Sequence, residues 1–399
     1  MNLTDFFEKY LTKDSIFQDR SVLSSSYIPE LLDHRQNEID AISKIIAPAL
    51  KFSKISNLFV YGKTGTGKTV TLKYLKRELE KVIKQHNLPL KIVYLNCKLE
   101  KQADTEYRIL AQLLDVFGKK VPNTGVPTQT LYKSFFEIIE NRKIYLILIL
   151  DEIDQLIDKA GDELLYVLLR KNEELSHSFI SIIGISNNIN LTSKIDPRIK
   201  SSLSEESLIF EPYNALQLKD ILYHRAKLAF KPDVLEPGLI EKCAAYAAKE
   251  HGDARRAIDL LRLAGEIAER ENSNKVTVKH LDIAQDKMES DKYIDLIKSQ
   301  PKQYQAVLYS IILLSEKDEK IYTGEVYSLY LEIIKKTGNR PLTQRRVSDI
   351  INEFDSLGII NVKLISQGRY GRTRDIELSY PKVLHPIIKS LLAKELGLD

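Results

Sequence analysis

Residues 62–69 read Gly62-Lys63-Thr64-Gly65-Thr66-Gly67-Lys68-Thr69. The spacing is G-x-x-x-x-G-K-[ST], which cradles phosphate when a strand enters it and a helix leaves it. Both flanks are present. Residues 57–61, NLFVY, form an apolar run fit for a buried strand, and residues 70–84 carry a helical pattern. Phosphate oxygens need several converging donors. The glycines let backbone N–H groups close around them, and the following helix N-terminus adds a favourable dipole. Lys68 is then expected to reach the β- and γ-phosphates, and Thr69 to place its hydroxyl on Mg²⁺.

Working outward, apolar β-branched runs recur at residues 91–97, 144–150 and 179–185, separated by stretches of helical period. Alternating strands and helices predict a parallel sheet with helices on its faces. The run 144–150 ends in Asp151-Glu152. Asp151 is expected to hold the Mg²⁺ hydration shell, and Glu152 to orient and polarise an attacking water. Alone, such a pair also reads as a solvated strand end; the phosphate loop upstream favours the first reading. The run 179–185 emits Ser186, Asn187 and Asn188, so an amide can sit beside the γ-phosphate, although ordinary turn chemistry explains asparagines equally well. In Asp196-Pro197-Arg198, Arg198 either stabilises transition-state charge, in its own or a neighbour's site, or is a surface arginine. In Gly252-Asp253-Ala254-Arg255-Arg256, Asp253 reads as an N-cap. Arg255 then lies in the first turn, where it can reach over phosphates or simply face solvent.

Residues 1–26 mix acids, bases and serine with weak periodicity and read as an arm. Helical spacing of Ile39, Ile42, Ile45, Ile46 and Leu50 places a helix before the first strand. Beyond Glu211-Pro212 the strand signal disappears and helical segments run to about residue 290, broken at Pro232, Pro237 and Gly252-Asp253. From Pro301 three further helical patterns are followed by two alternating runs, 359–366 and 373–380, joined by a glycine-containing turn. Three helices and a hairpin describe a winged helix-turn-helix. The expected domains are an arm at 1–26, a nucleotide-binding core at 27–212, a helical domain at 213–298 and a winged helix at 299–399.

Composition narrows the function classes. Lys and Arg exceed Asp and Glu by only 59 to 55, so any nucleic-acid patch is local. At 43% hydrophobic and 29% charged residues the chain is too apolar for a disordered protein. Its longest aliphatic and aromatic run, 144–150, is far short of the ~18 residues of a membrane span. The first residues carry acids among apolar positions, unlike a secretion signal. Two lone cysteines, Cys97 and Cys243, exclude a disulfide framework or a cysteine zinc site. A reducing cytoplasm is the expected location.

The cationic balance gathers at the end: residues 300–399 hold 15 Lys and Arg against 12 Asp and Glu. Thr343 can cap the third helix of this region. Gln344, Arg345, Arg346, Ser348 and Asn352 lie off its apolar stripe, where a helix-turn-helix reads base edges in the major groove. Residues 361–374 carry Lys363, Arg369, Arg372 and Arg374 with no acid, and Gly368 and Tyr370 at the turn. Such a wing can pair with phosphates or enter a minor groove. A solvated hairpin or a protein-binding module is the other reading.

Taken in order, GKTGTGKT, ILDEID, GISNN, DPRIKSSL and GDARRAIDLLR resemble the motifs of AAA+ ATPases. More narrowly they resemble the archaeal origin-recognition and helicase-loading initiators, over residues 27–380. The resemblance implies an AAA+ P-loop parallel-sheet core, a helical lid and a carboxy-terminal winged helix. It implies ATP or ADP with Mg²⁺ as cofactors, with Lys68 and Thr69 as Walker A, Asp151 and Glu152 as Walker B, Asn187 as sensor 1, Arg198 as the trans-acting arginine and Arg255 as sensor 2. Tyr27, Ile28, Pro29 and Arg35 match positions that cradle adenine. Residues 103–140 look like the initiator-specific insertion, whose tip, near 119–129 with Thr128 and Gln129, touches DNA in that family; a plain surface loop is the alternative.

The expected function is an ATP-dependent switch with weak ATPase activity. It recognises double-stranded DNA at replication origins and helps recruit the replicative minichromosome-maintenance helicase, with initiator paralogues as further partners and no membrane. An AAA+ DNA motor of the branch-migration type and an ATP-gated winged-helix transcription regulator are the competing readings.

Overall fold

Five short strands form one parallel sheet in the first part of the molecule: β1 (Asn57–Tyr61), β2 (Leu90–Asn96), β3 (Tyr145–Asp151), β4 (Phe179–Ser186) and β5 (Glu205–Ile209), in the order β2-β3-β4-β1-β5. This computed structural model describes residues 3–4, 14–98, 106–122, 125–191, 195–197, 199, 205–317, 320–366 and 372–398, with only the backbone of residues 205, 364–366, 372 and 373. Arg198, Gly368, Arg369 and Tyr370 lie outside the described residues.

β3 is buried at every position, as a central parallel strand covered on both faces must be. Its alternate residues serve two cores. Tyr145, Ile147 and Ile149 join Ile42 of α1 (Gln36–Ile46) and Leu72 of α2 (Lys68–His86) on one face. Leu146, Leu148 and Leu150 meet α3 (Glu106–Val116), α4 (Thr128–Arg142), α5 (Ile153–Ala160) and α6 (Glu163–Asn172) on the other. The period of two in the strands thus sets which helices lie on which side. The expected α/β class is what the structure shows. The fifth strand has no counterpart in the sequence reading: its EESLI sequence carries two acids, tolerable because β5 is an edge strand beside β1 alone.

The helical domain comprises α7 (Ala215–Ala229), α8 (Leu239–Lys249), α9 (Ala254–Arg270) and the start of α10 (Val278–Lys298). Asn214 and Gln217 form a capping box on α7, and Asp253 caps α9 by accepting from the Arg256 N–H. The described part of the amino-terminal arm belongs to this domain rather than hanging free. Phe17 stacks on Phe230 at 4.7 Å, and Ser15, the Ile16 N–H and Arg20 all reach the buried Glu269 carboxylate of α9. Gly265 of α9 makes room for this packing, since an added Cβ would stand 2.5 Å from Phe17 Cζ. The arm escaped the sequence reading because its partners lie more than two hundred residues downstream.

The chain divides into two compact units, Met1–Leu281 and Asp282–Asp399. In the second, α11 (Lys302–Ser315), α12 (Thr323–Thr337) and α13 (Gln344–Ser356) precede the antiparallel pair β6 (Ile360–Ser366) and β7 (Arg372–Leu378). A last helix, α14 (His385–Leu396), was not expected from sequence; it buries Ile388, Leu392 and Leu396 in the same core as Val347, Ile350, Ile351 and Phe354 of α13. Thr343 caps α13 by accepting from the Arg346 N–H, a bond worth about 1 kcal/mol.

Candidate functional site

Because β4 lies between β1 and β3, loops leaving the carboxyl ends of three adjacent strands converge. They open onto a cavity of about 650 Å³ lined also by the lid and by residues 24–33, within the size range of ligand sites. Of the expected residues, Tyr27, Ile28, Pro29, Thr64, Gly65, Thr66, Gly67, Lys68, Thr69, Asp151, Glu152, Asn187 and Arg255 line this cavity.

Lys68 is 6% exposed, and its Nζ donates to the Gly62 carbonyl at 2.7 Å, the Lys63 carbonyl at 2.8 Å and Asn187 Oδ1 at 2.9 Å. Gly62 and Lys63 therefore enter the site through their carbonyls rather than as cavity wall. Burial pulls the Lys68 ammonium down to about 8, opposed by the nearby Asp151 carboxylate. An ammonium held this way is a strong donor waiting for anionic oxygen. Gly65 and Gly67 adopt φ of +74° and +91°, conformations that suit glycine.

Thr69 Oγ1 donates to Asp151 Oδ2 at 2.8 Å, and Tyr94 donates to the same oxygen at 2.6 Å. Burial, reinforced by Asp151, pushes the Tyr94 phenol up and keeps it a donor. The neighbouring Glu152 has φ of 55°, left-handed for a non-glycine residue, a strain of about 1 kcal/mol or more that recurs at functional positions. Its carboxylate pairs with Lys98 at 3.5 Å.

On the far side, Arg225 of α7 stacks over the Tyr27 ring at 4.4 Å and donates to the Val22 carbonyl at 2.8 Å, while Arg77 of α2 donates to the Pro29 carbonyl at 3.0 Å. These two arginines hold the 22–30 segment from the lid and from the core. Arg35, matched by the resemblance to a position that cradles adenine, is held differently from Tyr27, Ile28 and Pro29. It does not line the cavity; at 4% exposure its guanidinium is spent on the Thr66 and Glu211 carbonyls, on Glu38 and on the Tyr213 ring. Sequence reasoning also missed Tyr94, Lys98, Tyr213 and Arg225. None sits in a spaced motif, so no local signal marks them.

The second unit presents a separate candidate surface. Gln344, Arg345 and Arg346 are exposed on the first turn of α13. Arg346 also donates to the Tyr304 hydroxyl at 2.6 Å and pairs with Glu353 at 3.3 Å. Two further residues expected on DNA have partners inside the domain. Lys363 pairs with Glu377 on the opposing strand at 3.0 Å, and Arg374 donates to the Ser348 carbonyl at 3.3 Å. The sequence run 361–374 lacks acids, but the hairpin brings Glu377 beside it. Of Arg372 only the backbone is described, at the start of β7. Within the first unit, Gln129 is exposed and Thr128 half-buried at the start of α4, whose Leu131, Tyr132, Phe135 and Ile139 are buried against the sheet.

Three family models match the chain: an AAA domain over residues 53–186, a Cdc6 AAA+ ATPase-type lid domain over 219–286 and a Cdc6 carboxy-terminal winged helix domain over 295–384. An ORC1-type DNA replication protein of Pyrococcus abyssi is 50% identical over 384 residues, covering 95% of this chain and 91% of that one. The Archaeoglobus fulgidus ORC1-type DNA replication protein 1 is 48% identical over 374 residues, 94% and 90% of the two chains. Among solved structures, that of the Aeropyrum pernix ORC1 protein in complex with DNA superposes with a TM-score of 0.79 at 38% identity, covering 96% of this chain and 98% of that one. With its parallel P-loop core, Cdc6-type lid and winged helix, and with half its residues shared along nearly the whole length, this chain belongs to the archaeal ORC1-type replication initiators.

Proposed function

We propose that the chain is an ATP-dependent origin-recognition protein: it binds ATP in the cavity between core and lid, grips duplex origin DNA through its winged helix and the 119–129 region, and helps recruit the minichromosome-maintenance helicase. One observation carries this reading. The phosphate loop, Asp151, Glu152, Asn187 and Arg255 line a single cavity in a chain half identical to ORC1-type replication proteins. The Aeropyrum pernix relative was solved with DNA, which supports duplex DNA as the ligand of the second unit. Action on DNA implies association with the nucleoid, and among the described residues no helix is long and apolar enough to cross a membrane.

The residues fit the chemistry. Thr69 and Asp151 offer a hydroxyl and a carboxylate 2.8 Å apart, the hard oxygen donors that Mg²⁺ prefers. Held there with nucleotide, Mg²⁺ would supply positive charge against the phosphates. Lys68 turns from the Gly62 and Lys63 carbonyls to the phosphates, and Asn187, already beside Lys68, reports the γ-position. Glu152 accepts a proton from water as the water oxygen bonds to the γ-phosphorus and the bond to the bridging oxygen breaks, releasing ADP and phosphate. Arg255 spreads the developing charge and ties the lid to the phosphates. Arg198 is assigned to the same charge, from its own or a neighbouring chain. Turnover is slow because hydrolysis only resets the switch.

Fluorescence anisotropy with origin and scrambled duplexes, each in ATP, in ADP and without nucleotide, tests the reading. Origin DNA is expected to bind more tightly than scrambled DNA, with an affinity that depends on the nucleotide. Equal affinities across all six conditions overturn it.

A further inference from the structure

The lid is joined to the core twice. Residues 15–22 are fixed to the lid through Glu269, Phe230 and Arg225, and the chain then crosses the cavity mouth to reach the core at Arg35. The return connection leaves the core at Phe210, whose N–H bonds to the Tyr61 carbonyl at 2.8 Å, and enters the lid at the Asn214 cap of α7. Tyr213 in this second connection packs on both sides of the joint. Its backbone lies against Gly252 of the lid, closely enough that no Cβ fits there, and its hydroxyl lies 2.5 Å from where a Gly67 Cβ would stand.

The side chain that ends the first connection touches the second connection and the phosphate loop. Arg35, at the end of the first connection, donates from Nε to the Thr66 carbonyl at 3.0 Å and from Nη2 to the Glu211 carbonyl at 2.5 Å. Its guanidinium lies over the Tyr213 ring at 3.9 Å, and Glu38 holds Nη1 at 2.6 Å. The loop is itself tied together, because the fully buried Thr66 donates from Oγ1 to the Lys63 carbonyl at 2.9 Å, and the Lys63 carbonyl also accepts from Lys68. Were phosphate to draw Lys68 away, the Gly62 carbonyl would lose its Nζ donor and the Lys63 carbonyl would keep only the Thr66 hydroxyl. The resulting rearrangement reaches Thr66 and hence Arg35.

We propose that Arg35 is a positioning residue that transmits phosphate occupancy of the 62–69 loop to the lid by tying the end of one lid attachment to the other attachment and to the loop. The claim rests on the reading of the cavity as an ATP site. Arginine suits the role because its rigid planar fork serves several acceptors and stacks on an aromatic ring together, which a lysine ammonium cannot do.

The test is a lid–core distance measured by pulsed electron paramagnetic resonance between labels at Lys91→Cys and Glu241→Cys in the full chain, with ADP and with ATP. Lys91 and Glu241 are exposed, on β2 and α8, and the native Cys97 and Cys243 are buried and stay unlabelled. The parental chain is expected to shift its distance between nucleotides. Arg35→Ala is expected to bind each nucleotide within about threefold of the parent, a change under 1 kcal/mol, yet to lose the shift, and Arg35→Lys to recover part of it. If Arg35→Ala does not fold, the reduced shift of Arg35→Lys carries the test.

A full shift in the folded arginine variants overturns the proposal and leaves the direct contact between lid and loop as the carrier. Loss of nucleotide binding by a folded Arg35→Ala also overturns it, by placing Arg35 in the binding site, and so does a parental chain with no shift. A parental shift accompanied by DNA affinity indifferent to nucleotide overturns the switch proposed above while the role of Arg35 stands.

Discussion

The Ala254 N–H donates to the Gly65 carbonyl at 3.1 Å, so the first turn of the lid helix α9 rests on the tip of the phosphate loop. The cap residue Asp253 occupies the space beside Gly65 so closely that an added Cβ would fall within its carboxylate. Contact between core and lid therefore needs a glycine at this position for both its left-handed φ and its lack of a side chain.

Gly65→Ala is expected to push the lid off the loop and weaken nucleotide binding by at least tenfold, about 1.4 kcal/mol. Isothermal titration calorimetry with ADP measures this. Unchanged affinity would show that lid docking at Gly65 contributes nothing to the site.

Lys68→Ala removes the ammonium aimed at the phosphates and is expected to abolish measurable nucleotide binding. Glu152→Ala is expected to bind ATP normally and cut its hydrolysis by at least about a hundredfold, the usual contribution of a general base. Phosphate release at the parental rate in Glu152→Ala would remove Glu152 as the base.

On the DNA surface, Arg345→Ala is expected to weaken duplex binding and lower the salt slope by about one. Arg346→Ala should cost less, because Arg346 is already engaged by Tyr304 and Glu353. Arg369→Ala and Arg372→Ala are expected to weaken binding and flatten its salt dependence as well. Anisotropy titrations at several salt concentrations separate these effects, and unchanged binding by both wing variants would remove the wing from the interface.

Cys243 is fully buried, donates to the Ala257 carbonyl at 3.4 Å, and has its thiol pushed up to about 12 by burial. The thiolate is the reactive form. The native chain is therefore expected to resist a disulfide reagent at pH 8, with reaction appearing only as the lid unfolds. Because the folded value lies above the ordinary thiol range, stability from the neutral buried thiol is present below that range and declines as pH rises toward 12. Rapid native labelling of Cys243 at pH 8 would contradict this burial.

Much of the architecture could be read from short spacings. The 62–69 motif requires a strand before it and a helix after it, and the apolar run ending at Asp151-Glu152 can only be a covered central strand. The Asp253 and Thr343 caps were also legible, since an N-cap bond spans three residues. The edge strand β5 and the helix α14 were not legible: one is polar because it is exposed along one side, and the other is short and begins beside Pro381 and Pro386.

The sequence by itself determined the alternation of the first four strands with helices, the phosphate loop, the placing of Asp151-Glu152 at the end of a buried strand and the presence of a winged helix, because each follows from backbone geometry over a few residues. Only the tertiary structure decided where Arg35, Arg225, Tyr94 and Lys363 act. Arg35 meets acceptors 31 and 176 positions away, and Lys363 finds its counter-charge on the opposite strand. Such contacts depend on how whole elements pack, and no local periodicity encodes them.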